Sequence, residues 1–98
     1  MKTYTRKIGS NRGKTRLWLE GKILEDNGWK KADRFKIIFD QGVVFCIKAS
    51  DGPRKVAGTD ARPIIDTNTD KLGDSLRAFS GDVVSIDVTQ ESIRVSKA

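Results

Sequence analysis

Short runs in which apolar and polar residues alternate set the pattern of this chain, and no long helical stripe interrupts them. A period of two sends successive side chains to opposite faces of a strand, so Leu17 and Leu19 turn inward while Trp18 and Glu20 turn outward. Phe35, Ile37 and Phe39 alternate in the same way with Arg34, Lys36 and Ile38. Asp40-Gln41-Gly42 then closes a hairpin, with Gly42 free to take the positive φ of a tight turn, and Val43 to Ile47 returns as the partner strand. Between the first strand and this hairpin, Ile23 to Trp29 predicts one or two helical turns stopped at Gly28.

Residues 49–62 are poor in large apolar side chains, lead up to the second of two prolines, Pro53 and Pro63, and read as a linker. A second unit follows: an extended Pro63 to Asp66, a helix near Thr69 to Phe79, and a hairpin of Asp82 to Val88 with Ser92 to Ser96. The halves can be laid over each other. Asp33-Arg34-Phe35-Lys36-Ile37 falls on Asp82-Val83-Val84-Ser85-Ile86, and Val44 and Cys46 fall on Ile93 and Val95. This alignment sets Trp29 opposite Phe79 as two core plugs, with a one-residue gap ahead of the aspartate. A unit of about 35 residues cannot bury its apolar face alone, so the two are expected to pair into one barrel. The expected organisation is mostly β (α+β): a basic arm over 1–13 and one barrel domain over 14–98, made of unit one (14–48), the linker (49–62) and unit two (63–98).

Charge adds a direction to this picture. The 98 residues hold 19 Lys plus Arg against 13 Asp plus Glu. Lys2, Arg6, Lys7, Arg12, Lys14 and Arg16 meet no acidic residue in the first sixteen positions, and setting those six aside leaves 13 of each sign. A neutral folding unit with a cationic segment attracts polyanions, and nucleic acid is the first such partner. The plain alternative is a solvated tail that keeps the protein soluble. Gly9, Ser10, Asn11 and Gly13 interleave the cations and let backbone N–H groups approach phosphate oxygens.

On the first strand, Lys14, Arg16, Trp18 and Lys22 fall on one face, combining phosphate-neutralising cations with an indole able to stack on a base or cover a sugar. Arg6, Lys7 and Arg12 add cations from the arm, and Lys30 and Lys31 from the turn after the first helix. Arg54, Lys55 and Arg62 in the linker are secondary candidates. Each also has a bland reading, as a solubilising charge or, for Trp18, as a ring packed under the arm.

Catalysis finds little support. The chain has no His, which removes the usual general base and zinc ligand. Its single Cys, Cys46, sits in VVFCI as a small buried hydrophobe and excludes an internal disulfide. Gly9 to Thr15 falls one residue short of a phosphate loop and follows no apolar strand, while Asp66 to Asp70 begins like a calcium loop but carries Lys71 where the turn glycine belongs. Thr69 or Asp70 reads better as a helix N-cap. No cofactor, metal or catalytic residue is expected. Without an apolar run long enough for a membrane or a secretory signal, the expected setting is cytoplasmic, with no membrane partner.

The stretch WLEGKILEDNGWKKADRFKIIFDQGVVFCI carries Gly21, Leu24, Gly28-Trp29, Ala32-Asp33, Phe35 to Phe39, Gly42 and Val43 to Ile47. The second half carries Leu72, Leu76, Phe79, Gly81-Asp82-Val83-Val84 and Ile93-Arg94-Val95. Both resemble the AbrB/MazE superfamily, the first half its SymE-like branch. The resemblance implies a swapped-hairpin AbrB-like β-barrel in which two such units, usually from two chains, form one DNA-binding body. It departs at Lys31-Ala32-Asp33, where the family prefers glycine before the acidic or small residue, and in having both units in one chain. The implied function is a small DNA-binding transcriptional regulator. The alternatives are a SymE-like toxin binding or cleaving RNA, and a protein-interaction module such as an inhibitor or antitoxin. The implied assembly is a homodimer or a monomeric pseudo-dimer.

Overall fold

The computed structural model describes Met1–Ala98 as ten strands and two short helices, with 52% of the chain in strands. The protein is mostly β, in the α+β class. The first half runs β1 (Lys2–Lys7), β2 (Gly9–Asn11), β3 (Lys14–Glu20), α1 (Lys22–Glu25), β4 (Arg34–Asp40) and β5 (Val43–Lys48). The second runs β6 (Arg54–Lys55), β7 (Ala57–Gly58), β8 (Pro63–Asn68), α2 (Asp70–Leu76), β9 (Val83–Val88) and β10 (Ser92–Lys97).

Two sheets enclose the core: a six-stranded one ordered β1-β9-β10-β5-β4-β6 and a four-stranded one ordered β2-β3-β8-β7. Both orders are palindromes under exchange of the halves. In the first, β5 pairs with β10 at the centre, and β1 and β6 each add to the other half's hairpin; in the second, β3 pairs with β8. The expected barrel does not form, because neither sheet closes on itself. β1 and β6 remain the edges of one sheet, and β2 and β7 the edges of the other.

The internal symmetry reaches single hydrogen bonds. Ile8 donates to Asp82 O and Val56 to Asp33 O; Gly81 donates to Ile8 O and Ala32 to Val56 O. Ile8 and Val56 are therefore equivalent, and both are buried between an edge strand of one sheet and an edge strand of the other. The basic segment at 1–13 thus contains two paired strands, and residues 49–62 contain their counterparts. No apolar alternation announces β1: KTYTRK has only Tyr4 half-buried, as befits an edge strand whose main contribution is its backbone ladder to β9.

After the helices each half makes the same turn. Asp33 accepts the Lys30 N–H at 2.8 Å and Asp82 the Phe79 N–H at 2.9 Å. Lys48 reaches Asp33 at 3.4 Å and Gly28 O at 2.7 Å, as Lys97 reaches Asp82 at 3.7 Å and Arg77 O at 3.4 Å. These contacts correct the sequence alignment. Phe79 matches Lys30, Trp29 matches Ala78, and no gap precedes the aspartate; the extra residue lies in the longer helix α2. Trp29 is the expected core plug, fully buried, edge-on to Phe35 with centroids 5.9 Å apart, its Nε1–H donating to Thr89 O at 2.8 Å. Phe79 is not a plug, since it is 67% exposed on the turn.

The helices are short because their ends are fixed by the fold. Thr69 caps α2 by accepting the Lys71 N–H, and Arg77 stops it in the left-handed region at φ 55°. Leu17 and Leu19 from β3 and Ile65 from β8 face Val44, Cys46, Ile86 and Val95 across the core, and all are buried.

Candidate nucleic-acid interface

Trp18 and Asp66 pair directly across β3 and β8, and they are equivalent positions in the two halves. The internal two-fold therefore passes between them. Because Leu17, Leu19, Ile65 and Thr67 point inward, Trp18 and Asp66 point outward from the four-stranded sheet, with Trp18 39% exposed.

Arg16 organises this centre. Its Nε and Nη2 donate to the two Asp66 carboxylate oxygens at 2.9 and 3.0 Å, and its guanidinium lies 4.5 Å from the Trp18 ring centroid. The bond to Asp66 raises the Arg16 pKa above its ordinary value, outweighing the desolvation that would lower it. One face of the indole is thereby covered by a cation, and Arg16 is part-neutralised.

Arg6 from β1 and Arg54 from β6 occupy equivalent edge positions, set by the Arg6↔Val84 and Phe35↔Arg54 pairs. Arg54 donates to Asp66 O at 3.2 Å, and Arg6 lines a groove of about 550 Å³ beside Trp18 with Glu20, Lys22 and Arg62. Lys14 and Arg62 are likewise equivalent, each at the start of the return from the two-residue turn after β2 or β7. The arrangement is a central Trp18–Asp66 pair flanked by two cation pairs, Arg6 with Arg54 and Lys14 with Arg62.

The structure sorts the sequence candidates. Arg6, Lys14, Arg16, Trp18 and Lys22 share this face, and the linker's Arg54 and Arg62, secondary in the sequence reading, join them as symmetry mates. Lys7 leaves the group: it pairs opposite Val83 on the outer face of the six-stranded sheet. Arg12 stands exposed at the tip of the β2–β3 turn with φ 54°, beside the face rather than on it. Lys30 and Lys31 line a separate depression with Glu25 and Asp60, whose charges offset theirs. The sequence reading missed Asp66 as the clamp of Arg16; its position between inward Ile65 and Thr67 is the signal that places it outward.

No group of three His, Cys, Asp or Glu side chains could hold a metal ion, and no helix is long and apolar enough to cross a membrane. Cys46 is buried, and desolvation pushes its thiol up to about 12, against a smaller opposing pull from the Arg54 charge. A two-sheet α+β protein built on an internal two-fold, with two cation pairs repeated about that axis, is the class these observations define. Comparisons with protein families, curated proteins and solved structures find no match to this chain.

Proposed function

We propose that this protein binds nucleic acid, and that it is a small DNA-binding transcriptional regulator engaging duplex DNA through the Trp18–Asp66 face. The observation that carries the reading is the two-fold repetition of cations about that pair, Arg6 with Arg54 and Lys14 with Arg62. A duplex offers two antiparallel phosphate backbones related by local two-folds, so a protein with matching symmetry makes the same phosphate contact twice. Phosphate contacts fix register, and Lys22 and Arg12 at the rim would reach base edges. Exchange of β1 and β6 between the halves supports the proposal that the fold is a swapped-hairpin arrangement of the AbrB kind, closed within one chain as a pseudo-dimer. We keep RNA as a second ligand because Trp18 is a partly exposed indole, the kind of side chain on which a single-stranded base stacks.

Binding of random-sequence duplex DNA, single-stranded DNA and RNA across a salt titration tests the proposal. The duplex is expected to bind tightest. Arg6→Ala with Arg54→Ala is expected to lower the magnitude of the slope of log affinity against log salt by about 1.8, since each lost phosphate contact on B-DNA accounts for about 0.9. An unchanged slope rejects the interface, and cleavage or tighter binding of RNA favours the toxin reading.

A further inference from the structure

The outer face of the six-stranded sheet breaks the symmetry that the core obeys. At its centre Phe45 pairs directly with Arg94, and these are equivalent positions, so the internal two-fold emerges here at the end opposite Trp18. Next to them, Ile38 pairs with Phe45, and its equivalent Asp87 pairs with Arg94. In the second half these outward positions are polar: Arg94 lies 3.7 Å from Asp87, and Ser92 and Ser96 flank them on the same strand. In the first half the same backbone positions carry Ile38, Phe45, Val43 and Ile47.

The second half is an internal control. Its hairpin forms with polar outward residues, so the first hairpin does not need apolar ones to fold. Ile38 is 39% exposed, and the partly buried apolar side chains that pack on the core are Tyr4, Ile37 and Phe39, none of this set. Ile38 is exposed and Val43, Phe45 and Ile47 beside it are half-buried, so this face is an apolar strip rimmed by charge, the kind of surface that takes a partner.

The rim identifies the partner. Lys36 and Asp40 stand on the same face of β4, one on each side of Ile38, and neither forms an ion pair within the chain. A two-fold axis running across the strands over Ile38 sets Lys36 of one molecule opposite Asp40 of another, and the reverse, while Ile38 and Phe45 each meet their own copy on the axis. Such self-complementarity is what an isologous interface requires. We propose that a second copy of this chain docks on this face, sheet against sheet, with Lys36 and Asp40 fixing its direction. The interface lies on the far side of the core from Trp18, so the assembled pair presents two cationic faces pointing away from each other. The inference stands apart from nucleic-acid binding, because no residue of the Trp18 face takes part.

Sedimentation equilibrium of the full chain without nucleic acid tests it. The wild-type protein is expected at twice its 10.9 kDa mass. Ile38→Asp with Phe45→Arg, which installs in the first half the pair that the second half already carries, is expected to give a folded monomer with an unchanged circular dichroism spectrum. Lys36→Asp opposes like charges twice across the axis and is expected to raise the dimer dissociation constant at least about tenfold, while adding Asp40→Lys restores it. A wild-type monomer at the highest attainable concentration overturns the proposal, as does a folded double variant that stays dimeric. If the double variant does not fold, the charge swap decides: failure of Asp40→Lys to rescue Lys36→Asp overturns it.

Discussion

Arg16 holds Asp66 through two guanidinium nitrogens while lying across the Trp18 indole, so the cation at the centre of the basic face is engaged before any ligand arrives. Removing the carboxylate charge frees it. Asp66→Asn is expected to strengthen duplex binding several-fold and to steepen its salt dependence by about 0.9 if Arg16 takes one phosphate. Exposed ion pairs contribute little to folding, so the thermal midpoint should hardly move. Affinity measured at two salt concentrations checks this; weaker binding would show that Asp66 positions Arg16 for the ligand rather than competing with it.

Trp29 and Phe79 are expected to respond in opposite ways to truncation. Trp29→Ala removes a fully buried indole, its edge contact to Phe35 and its bond to Thr89 O, and should cost about 3–5 kcal/mol. Phe79→Ala removes an exposed ring on a turn and should stay within about 0.5 kcal/mol. Denaturant unfolding of both variants distinguishes this register from the one in which the two aromatics are equivalent.

The outcome for these two residues shows where the sequence stopped being legible. Hydrophobic alternation correctly places β3, β4 and β5, both later hairpin strands and the inward turn of Leu17 and Leu19, because each of those strands has one face on the core. It is silent on β1, β2, β6 and β7, whose side chains are mostly exposed and whose pairing rests on backbone bonds. Alternation already set Lys14, Arg16, Trp18 and Lys22 on one face, but the symmetry that repeats two of the cations was not visible. Arg54 and Arg62 read as linker charges until the edge strands revealed them as partners of Arg6 and Lys14. The alignment error at Trp29 has a similar origin: two aromatics near equivalent turns outweigh, in a sequence comparison, the backbone bonds that fix the true register.

Ala32 occupies the left-handed region at φ 75°, where its equivalent in the other half is Gly81 at φ 94°. A side chain there costs about 1–2 kcal/mol that glycine avoids, partly offset by glycine's greater freedom in the unfolded chain. Ala32→Gly is therefore expected to stabilise the protein by up to about 1 kcal/mol. Gly81→Ala should destabilise it by a similar amount, because open space around Gly81 leaves backbone strain as the only penalty. Thermal unfolding of the two variants should shift in opposite directions.

Cys46 gives the fold a defined weakness to alkali. Buried on the inward face of β5 with Val44, its thiol holds its proton up to about pH 12, whereas in the unfolded chain it ionises near its ordinary value of 9.0. Between these values the native state binds one proton more than the unfolded state. Stability therefore falls as pH rises, and the contribution is intact below pH 9. At about 1.4 kcal/mol per pH unit the loss attributable to this group reaches about 4 kcal/mol by pH 12. The measurement is a difference between variant and wild type, in which every ionisation the two share cancels. Cys46→Ala has nothing to ionise; apart from the constant cost of its smaller side chain, its unfolding free energy should decline less steeply than wild type above pH 9 and run parallel to it below. The same burial makes the native thiol inert, so a thiol reagent at neutral pH should label the protein only as fast as it unfolds. Prompt labelling of the folded protein would place Cys46 in contact with solvent and remove both expectations together.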